Sequence, residues 1–397
     1  MNFNESKLGD LCEIRAGGTP SRSKSEYWDN GDIPWIKIGD INNKYVKNAS
    51  EYITVDGLNN SSAKLFKKGT ILYTIFATVG EVAILDFDAT TNQAIVGLNH
   101  NEKIDTNYLY YFLKSQKDKI SNISRGVAQN NINMSILKDI KVPIPDKTVQ
   151  LKISEVLDNA QGLIDKRKKQ IEELDLLVKS KFIEMFGDPS KNEKGWEISK
   201  IGKYLNVLTD YHSNGSYETL RDNVTLLDTP SYALMVRTTD LEKNNFEYDV
   251  KYIDEHAYNH LEKSKVFGGE IIINKIGSAG KVYLMPFLNR PVSLAMNQFL
   301  LRFDENKVNH IFLYNLLSTS YMEIKINEKV RGAVTKTITK DAIKEINIII
   351  PPIELQNQFA DFVNQVDKLK FEMEKSLKEL ENNFNSLMNK AFKGELF

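Results

Sequence analysis

Apolar side chains recur at alternating spacings of four and three residues in two long stretches of the chain. The later stretch runs through Phe359, Val363, Val366, Lys370, Met373, Leu377, Leu380, Phe384, Leu387 and Ala391. The earlier stretch lies 206 positions before it and runs through Ile153, Leu157, Ala160, Ile164, Arg167, Ile171, Leu174, Val178, Lys181 and Met185. A period of about 3.5 residues held over about five heptads predicts two supercoiled helices, each with one apolar seam.

Proline and glycine mark the limits of these helices. Proline-bearing segments (Pro143 to Pro145, and Pro351-Pro352) precede them, and Gly187-Asp188-Pro189 follows the first. At about 40 residues each helix would be roughly 55–60 Å long. A seam needs an apolar partner, and the other helix of the chain is available at high effective concentration. A pseudo-two-fold arrangement requires the two helices to run antiparallel, while a coiled coil between separate chains is the alternative.

The whole chain is a two-fold internal repeat. The matched segments, first half against second, are Lys7-Leu8-Gly9 with Lys200-Ile201-Gly202, Asn92-Gln93 with Asn297-Gln298, Arg125-Gly126 with Arg331-Gly332, Pro145 with Pro351, and Gln150 with Gln356. A period near 200 residues is too long for a solenoid repeat, so it indicates a duplicated unit of one domain and one helix.

The parts outside the helices combine strand and helix patterns. Strands are predicted near residues 33–38, 69–76, 82–85, 270–274 and 281–285, and shorter helices near 107–115 and 308–318. The predicted fold class is α+β, with two globular domains, each followed by a long helix, and the two helices paired as an antiparallel coiled coil. The predicted globular domains are residues 1–145 and 189–345, and the predicted helical segments are 146–188 and 346–397.

Composition and charge limit the classes of function. The 397 residues include 52 Lys and Arg against 53 Asp and Glu, so the net charge is −1. A protein that coats nucleic acid by charge alone is strongly basic, and any DNA binding must therefore rest on local clusters and partners. The polar start of the chain is unlike a signal peptide, and the single cysteine, Cys12, fits a reducing compartment. We expect a cytoplasmic location.

Patterns for catalysis and metal binding are weak. His256 and His260 have the spacing of a zinc pair, but Ala257 stands where a zincin helix needs glutamate. The segment Gly277-Ser278-Ala279-Gly280-Lys281 resembles a phosphate loop, but Val282 replaces the required Ser or Thr, and we expect a turn between two strands. We expect no catalytic and no metal-binding residue, and a stand-alone enzyme is the least favoured function.

Three polar segments carry side chains suited to nucleic acid. Residues 17–24 (GGTPSRSK) form a flexible, basic, hydroxyl-rich loop, residues 125–131 supply Arg, Gln and Asn, and residues 331–337 are their counterpart in the second half. Arg, Lys, Asn and Gln can contact base edges, and Ser, Thr and Lys can also hold phosphates. For any single residue a solvated surface role is equally compatible with the sequence.

The chain resembles the specificity subunits of type I restriction–modification systems. The motifs that carry the resemblance are Lys7-Leu8-Gly9-Asp10, Gly17-Gly18-Thr19-Pro20-Ser21, Ile33-Pro34-Trp35-Ile36, Gly39-Asp40-Ile41, Val142-Pro143-Ile144-Pro145 with Gln150, Met185-Phe186-Gly187-Asp188-Pro189, Ile350-Pro351-Pro352 with Gln356, and Ala391-Phe392-Lys393-Gly394-Glu395-Leu396. The second domain departs from the pattern, because Thr209-Asp210-Tyr211-His212 stands where the Gly-Gly-Thr-Pro segment is expected.

The resemblance implies a division of labour in a larger complex. Each globular domain would read one half of a split DNA target, and the paired helices would fix the gap between the halves. Two modification subunits would bring S-adenosylmethionine, and two restriction subunits would add ATP, Mg²⁺, translocation and cleavage, so no cofactor is expected on this chain. These partners would share the neutralisation of phosphates on double-stranded DNA, which reconciles DNA binding with the balanced charge.

Nine residues of the polar segments are the candidate DNA contacts. They are Arg22, Lys24, Arg125, Gln129 and Asn130 in the first half, and Lys275, Arg331, Thr335 and Lys336 in the second. Two other functions remain open at this point: a coiled-coil adaptor that binds proteins instead of DNA, and the specificity part of a related system that cuts on both sides of a gapped site.

Overall fold

The structure, a computed structural model, describes residues 3–120 and 131–397 of the chain. It divides into two compact units. The first unit comprises residues 1–169 and 374–397, and the second comprises residues 170–373. Each unit therefore contains one globular part together with a segment of each long helix.

Strands of the first unit form two mixed sheets and one separate pair. The described strands are β1 Asn4–Lys7, β2 Cys12–Ala16, β3 Ile33–Ile36, β4 Tyr45–Val46, β5 Glu51–Ile53, β6 Ile71–Thr74, β7 Val82–Leu85, β8 Thr90–Thr91, β9 Ile95–His100 and β10 Lys141–Ile144. The larger sheet has the order β2-β9-β6-β7-β4, and the smaller has the order β5-β3-β8. β1 pairs antiparallel with β10, directly before the long helix.

Strands of the second unit repeat this plan. They are β11 Glu197–Lys200, β12 Leu205–Asp210, β13 Ala233–Val236, β14 Lys251–Ile253, β15 Lys265–Val266, β16 Ile271–Asn274, β17 Val282–Leu284, β18 Val292–Leu294, β19 Gln298–Phe303 and β20 Asn347–Ile350. Their sheets have the orders β12-β19-β16-β17 and β14-β13-β18-β15, and β11 pairs with β20. The order β2-β9-β6-β7 of the first unit thus recurs as β12-β19-β16-β17.

The described α-helices include those predicted near residues 107–115, 146–188, 308–318 and 346–397, together with shorter helices that were not predicted from the sequence. They are α1 Leu8–Leu11, α2 Val55–Asn59, α3 Thr106–Ser115, α4 Met134–Lys138, α5 Lys147–Phe186, α6 Tyr217–Asn223, α7 Thr238–Lys243, α8 Glu255–His260, α9 His310–Leu317, α10 Ser320–Asn327, α11 Lys340–Lys344 and α12 Ile353–Lys393. The side chains of Asp105 and Asn309 accept hydrogen bonds from the first-turn amides of α3 and α9, which fixes where these helices begin.

Each central strand is apolar on both faces because both faces are covered. In β6, Ile71 and Tyr73 belong to the core that includes α3 and the long helices, and Leu72 points into a second core with Ile36. In β16, Ile272 likewise lies in one core, and its neighbours Ile271 and Ile273 lie in another. Such strands read as continuous apolar runs instead of alternating ones.

The long helices run antiparallel. In the second unit, Asp175 of α5 pairs with Lys370 of α12 at 2.6 Å, and farther along α5 the ring of Phe182 lies 5.5 Å from that of Phe359. In the first unit, Lys168 pairs with Glu381 at 3.0 Å. The predicted α+β class with antiparallel helices is confirmed.

The predicted seam is partly wrong at the end of α5. Lys181 and Met185 are predicted on it, but Phe182 and Phe186 are the fully buried residues there. Met185 is half-buried and packs against the same core, whereas Lys181 forms an ion pair with Glu184. A straight helix drifts relative to a 3.5-residue repeat, and the two large rings take the position facing the core. Both rings pack against Phe359 of α12.

Candidate nucleic-acid interface

The glycines of the first polar loop are packed against the fold, contrary to the expected flexibility of residues 17–24. The Gly17 amide donates to the carbonyl of Ile95 at 3.0 Å, and the Gly18 amide to that of Thr91 at 2.8 Å. A Cβ on Gly17 would lie 2.0 Å from Oγ1 of Thr91. The Trp35 indole also donates to the Gly18 carbonyl, so the two glycines are required by close backbone approach.

Arg22 is held in one orientation at the surface. Its guanidinium carbon lies 3.6 Å from the ring centre of Trp28, and its Nη2 lies 2.6 Å from Oε2 of Glu51. Lys37 donates to the other oxygen of Glu51 at 2.6 Å. The hydrogen bond from Lys37, together with Arg22, lowers the pKa of the Glu51 carboxyl below its ordinary value despite burial. One carboxylate therefore positions two cations, of which sequence reasoning identified only Arg22.

Lys24 stands apart from that group. Its ammonium donates to the hydroxyl of Tyr27 at 2.9 Å and lies 3.9 Å from a carboxylate oxygen of Glu26. About half of the Lys24 side chain is exposed, so the charge remains accessible to an anion.

Three candidates of the first half, Arg125, Gln129 and Asn130, lie outside the described residues. The chain that follows them is anchored to the turn after β6. Asn131 pairs with Phe76 in an isolated bridge, and the amide of Ile132 donates to the carbonyl of Ile75 at 3.0 Å.

The four candidates of the second half are brought together. Residues 331–337 form a narrow hairpin in which Arg331 and Thr337 exchange two backbone hydrogen bonds of 2.8 Å. The carbonyl of Lys336 accepts from the amide of Gly277, which joins this hairpin to the turn after β16 that carries Lys275. Arg331, Thr335 and Lys336 are exposed. The expected strand–turn–strand at residues 277–281 is confirmed.

Lys275 belongs to a charged cluster that sequence reasoning only partly found. Its ammonium lies 3.0 Å from Oδ2 of Asp210, and the ammonium of Lys340 lies 3.0 Å from Oδ1 of the same carboxylate. Burial raises the pKa of Asp210, but hydrogen bonds from Ser213, Lys340 and Lys275 outweigh it and lower this pKa to about 2. Asp210 is thus an anion in the folded protein. The available signal was its place in the segment that replaces Gly-Gly-Thr-Pro.

His256, the first residue of the histidine pair in the second half, makes a surface hydrogen bond. Nε2 of His256 lies 2.9 Å from Oδ1 of Asn223. Among the residues that the structure describes, no three His, Cys, Asp or Glu side chains lie close enough together to hold a metal ion. No described helix is both long enough and apolar enough to cross a membrane.

Comparison with known proteins agrees with the duplicated fold. The sequence model of the type I restriction modification DNA specificity domain matches residues 1–175 and 193–382. The chain is 29% identical over 420 residues to the type I restriction enzyme MjaIX specificity subunit of Methanocaldococcus jannaschii, covering 100% of this chain and 94% of that one. It is 30% identical to the EcoR124I/EcoR124II specificity subunit of Escherichia coli over 182 residues, which cover 42% of this chain and 45% of the relative.

Solved structures share the fold at lower identity. The type I restriction–modification S subunit from M. genitalium superimposes with a TM-score of 0.54 at 18% identity, covering 99% of this chain and 96% of that one. A chain from a study of complex assembly and conformational transition of the type I system gives a TM-score of 0.60 at 15% identity, covering 100% and 98%.

Proposed function

This chain belongs to the family of type I restriction–modification DNA specificity proteins, and we propose that each of its units recognises one half of a gapped, bipartite DNA target. The observation that supports this proposal is that the two units share one strand arrangement but carry different charged side chains on it. Both units have the same central strand order, but the first holds Arg22 and Lys37 on Glu51, and the second holds Lys275 and Lys340 on Asp210. Two such surfaces suit two different half-sites.

The long helices are proposed to set the distance between the half-sites. Helices α5 and α12 contain 40 and 41 residues and run antiparallel, which gives each unit a rigid helical base. In this proposal residues 1–145 and 189–345 read DNA, and residues 146–188 and 346–397 act as spacers. A spacer of fixed length would leave the bases of the gap uncontacted.

The helices are also the proposed docking surface for partner subunits. They expose large apolar side chains that the chain itself leaves uncovered: Leu163, Leu176, Leu177 and Ile183 on α5, and Leu369 and Phe371 on α12. Exposed apolar side chains that group into a contiguous patch are typical of protein contacts. We propose two modification subunits and two restriction subunits as partners.

Catalysis is assigned to these partners. S-adenosylmethionine would be bound by the modification subunits, and ATP and Mg²⁺ by the restriction subunits, with this chain serving as a non-catalytic subunit in the cytoplasm. The side chains presented by the two units, Arg, Lys and Thr, are suited to contacts with bases and phosphates.

The deciding experiment is the adenine methylome of a methylation-free host that expresses this chain with its neighbouring modification subunit. We expect a two-part motif with a fixed gap, present only when this chain is expressed. Exchange of residues 1–145 for those of a relative should change one half of the motif and leave the other half unchanged.

Two outcomes would contradict the proposal in different ways. A soluble complex that neither methylates nor prefers any DNA sequence would favour the coiled-coil adaptor. Cleavage on both sides of the gapped site by the purified complex would assign the chain to the related class of system.

A further inference from the structure

The second unit contains a compact set of charges next to its exposed hairpin. The ammonium groups of Lys275 and Lys340 each lie 3.0 Å from one oxygen of Asp210, and Lys340 also donates to Ser213 at 3.0 Å. Both ammonium groups lie over the ring of Phe299, at 5.4 and 5.8 Å from its centre. Asp210 and Phe299 are buried, and about a third of each lysine side chain is exposed.

The internal repeat identifies the corresponding positions in the first unit. Ile75 corresponds to Lys275, because each follows the central strand and its carbonyl accepts a hydrogen bond from Ile132 or Ile338. Two residues after each of these isoleucines comes the first residue of a short helix. Met134 begins α4 two residues after Ile132, and Lys340 begins α11 two residues after Ile338.

Strand register identifies the remaining pair. Ala16 ends β2 and lies opposite Val96 of β9. Asp210 ends β12 and lies opposite Phe299 of β19. Ala16 and Val96 therefore occupy the places of Asp210 and Phe299.

One framework thus carries an uncharged set in the first unit and an ion-paired set in the second. Ile75 and Val96 are core residues, and Met134 packs against the same core. Charged groups lose hydration when they are buried. Apolar side chains at these positions would therefore stabilise the fold at least as well as Asp210 with its two lysines. The first unit keeps the same strand order without these charges, and its Ala16 is exposed where Asp210 of the second unit is buried.

We infer that Asp210 is a positioning residue that holds Lys275 and Lys340 as a paired cation for one DNA phosphate, in the half of the target contacted by the second unit. The inference rests on the proposed function and adds an asymmetry to it, since the first unit has no cation at these places. Lysine suits a phosphate because it is a point charge with three rotatable donors.

The contacts leave capacity for such a ligand. Lys275 donates one of its three N–H groups to Asp210, and Lys340 donates to Asp210 and Ser213. The cluster keeps a net charge of +1 after its internal pairing. The backbone link between Gly277 and Lys336 places it beside the exposed hairpin of residues 331–337.

The test replaces the charged set by the side chains of the first unit, in the triple variant D210A/K275I/K340M. Full-length protein in complex with its modification subunit is titrated with the target duplex at several salt concentrations. The single variant Lys325→Gln changes the net charge by the same amount, at an exposed ion pair with Glu328, and is the matched control.

Loss of one phosphate contact makes the negative slope of log K against log salt shallower by about 0.9. We therefore expect the triple variant to bind about tenfold more weakly at 50 mM salt and only about threefold more weakly at 200 mM. The preference for the target over a duplex with an altered second half should not change. The Lys325→Gln control should leave both affinity and slope unchanged.

Two results of this titration would overturn the inference. Unchanged affinity and slope would leave the cluster with a packing role alone. A selective loss of preference at the half read by the second unit would indicate a base contact instead of a phosphate contact. If the wild-type complex itself shows no sequence preference, the proposed function fails first, and the two failures are thereby distinguished.

Two further variants separate positioning from folding. Lys340→Gln keeps a donor toward Asp210 and removes one charge, so it tests the phosphate contact even if the triple variant does not fold. Asp210→Asn keeps both cations and removes the negative charge that holds them in place. We expect it to raise affinity for unrelated DNA and to lower the ratio of target to unrelated binding, and an unchanged ratio would refute the positioning role.

Discussion

Gln150 and Gln356 make the same three hydrogen bonds, each inside its own unit. The side-chain oxygen of Gln150 accepts from the amide of Asp105 at 2.7 Å, and its nitrogen donates to the carbonyls of Lys103 and Pro145 at 3.0 and 2.9 Å. For Gln356 the corresponding partners are the amide of Asn309 at 2.9 Å and the carbonyls of Lys307 at 3.2 Å and Pro351 at 2.8 Å. Each buried glutamine ties the start of a long helix to the segment before α3 or α9.

Replacement of either glutamine by leucine should destabilise its own unit. Gln356→Leu leaves three backbone groups without their partner, and we expect a loss of about 2–4 kcal/mol in the free energy of unfolding. Urea unfolding measures the loss, and hydrogen exchange locates it in the second unit. Gln358→Leu, at an exposed position on the same helix, should change stability by less than about 0.5 kcal/mol. Equal losses in the two variants would contradict the role of Gln356.

The aromatic cluster at the end of α5 should dominate the stability of that part of the seam. Phe359 is fully buried and its ring contacts those of Phe182 and Phe186. We expect Phe359→Ala to cost about 3–5 kcal/mol in the free energy of unfolding, because it removes a ring and leaves a cavity. Phe371→Ala on the same helix should cost less than about 0.5 kcal/mol in the isolated chain, since Phe371 is 66% exposed. A comparable cost for the two would refute this assignment.

Arg22 should contribute to recognition of one half-site only. Arg22→Gln removes the guanidinium held by Trp28 and Glu51, and we expect about a tenfold loss of affinity, within the range of about 1–3 kcal/mol for a base contact. The loss should fall on the half read by the first unit. Arg15→Gln is the matched control, because the two arginine side chains are equally exposed. Equal weakening on unrelated sequences would instead indicate a phosphate contact at Arg22.

Acid should weaken the second unit through Asp210. Its pKa is about 2 in the folded protein and about 3.9 when unfolded, so the unfolded state binds the proton more readily. The contribution to folding, up to about 2 kcal/mol, is therefore complete above about pH 5 and about half lost at pH 3. Unfolding of wild type and Asp210→Asn should show a stability difference that shrinks as the pH falls from 5 to 3. A difference independent of pH would rule out this linkage.

Cys12 should be unreactive in the folded protein. Burial raises the pKa of its thiol to about 12, which makes the thiolate fraction at pH 8 on the order of a thousandfold smaller than in an exposed cysteine. A thiol reagent should therefore label the protein only after denaturation. Rapid labelling of the native chain would show that Cys12 is accessible.

The duplication was predictable because the same motifs recur about 200 residues apart, and the long helices and central strands were predictable because their patterns depend on near neighbours in the chain. The spacing of apolar residues identified α5 and α12, and the runs at β6, β7, β16 and β17 identified the central strands. The matched glutamines, Gln150 and Gln356, also fixed the correspondence between the halves. Of the candidate DNA contacts, the sequence placed Lys275, Arg331 and Lys336 in segments that the fold brings together.

Only the tertiary structure decided which distant residues meet. Asp210 and Lys340 are 130 residues apart, and their contact depends on the register of β12 with β19 and on where α11 begins. Gly17 packs against Thr91, which lies 74 positions away in the chain, whereas the local sequence predicts a flexible loop. Periodicity is a local property that a sequence displays directly, whereas a contact between remote side chains follows from the register of strands and the packing of whole segments.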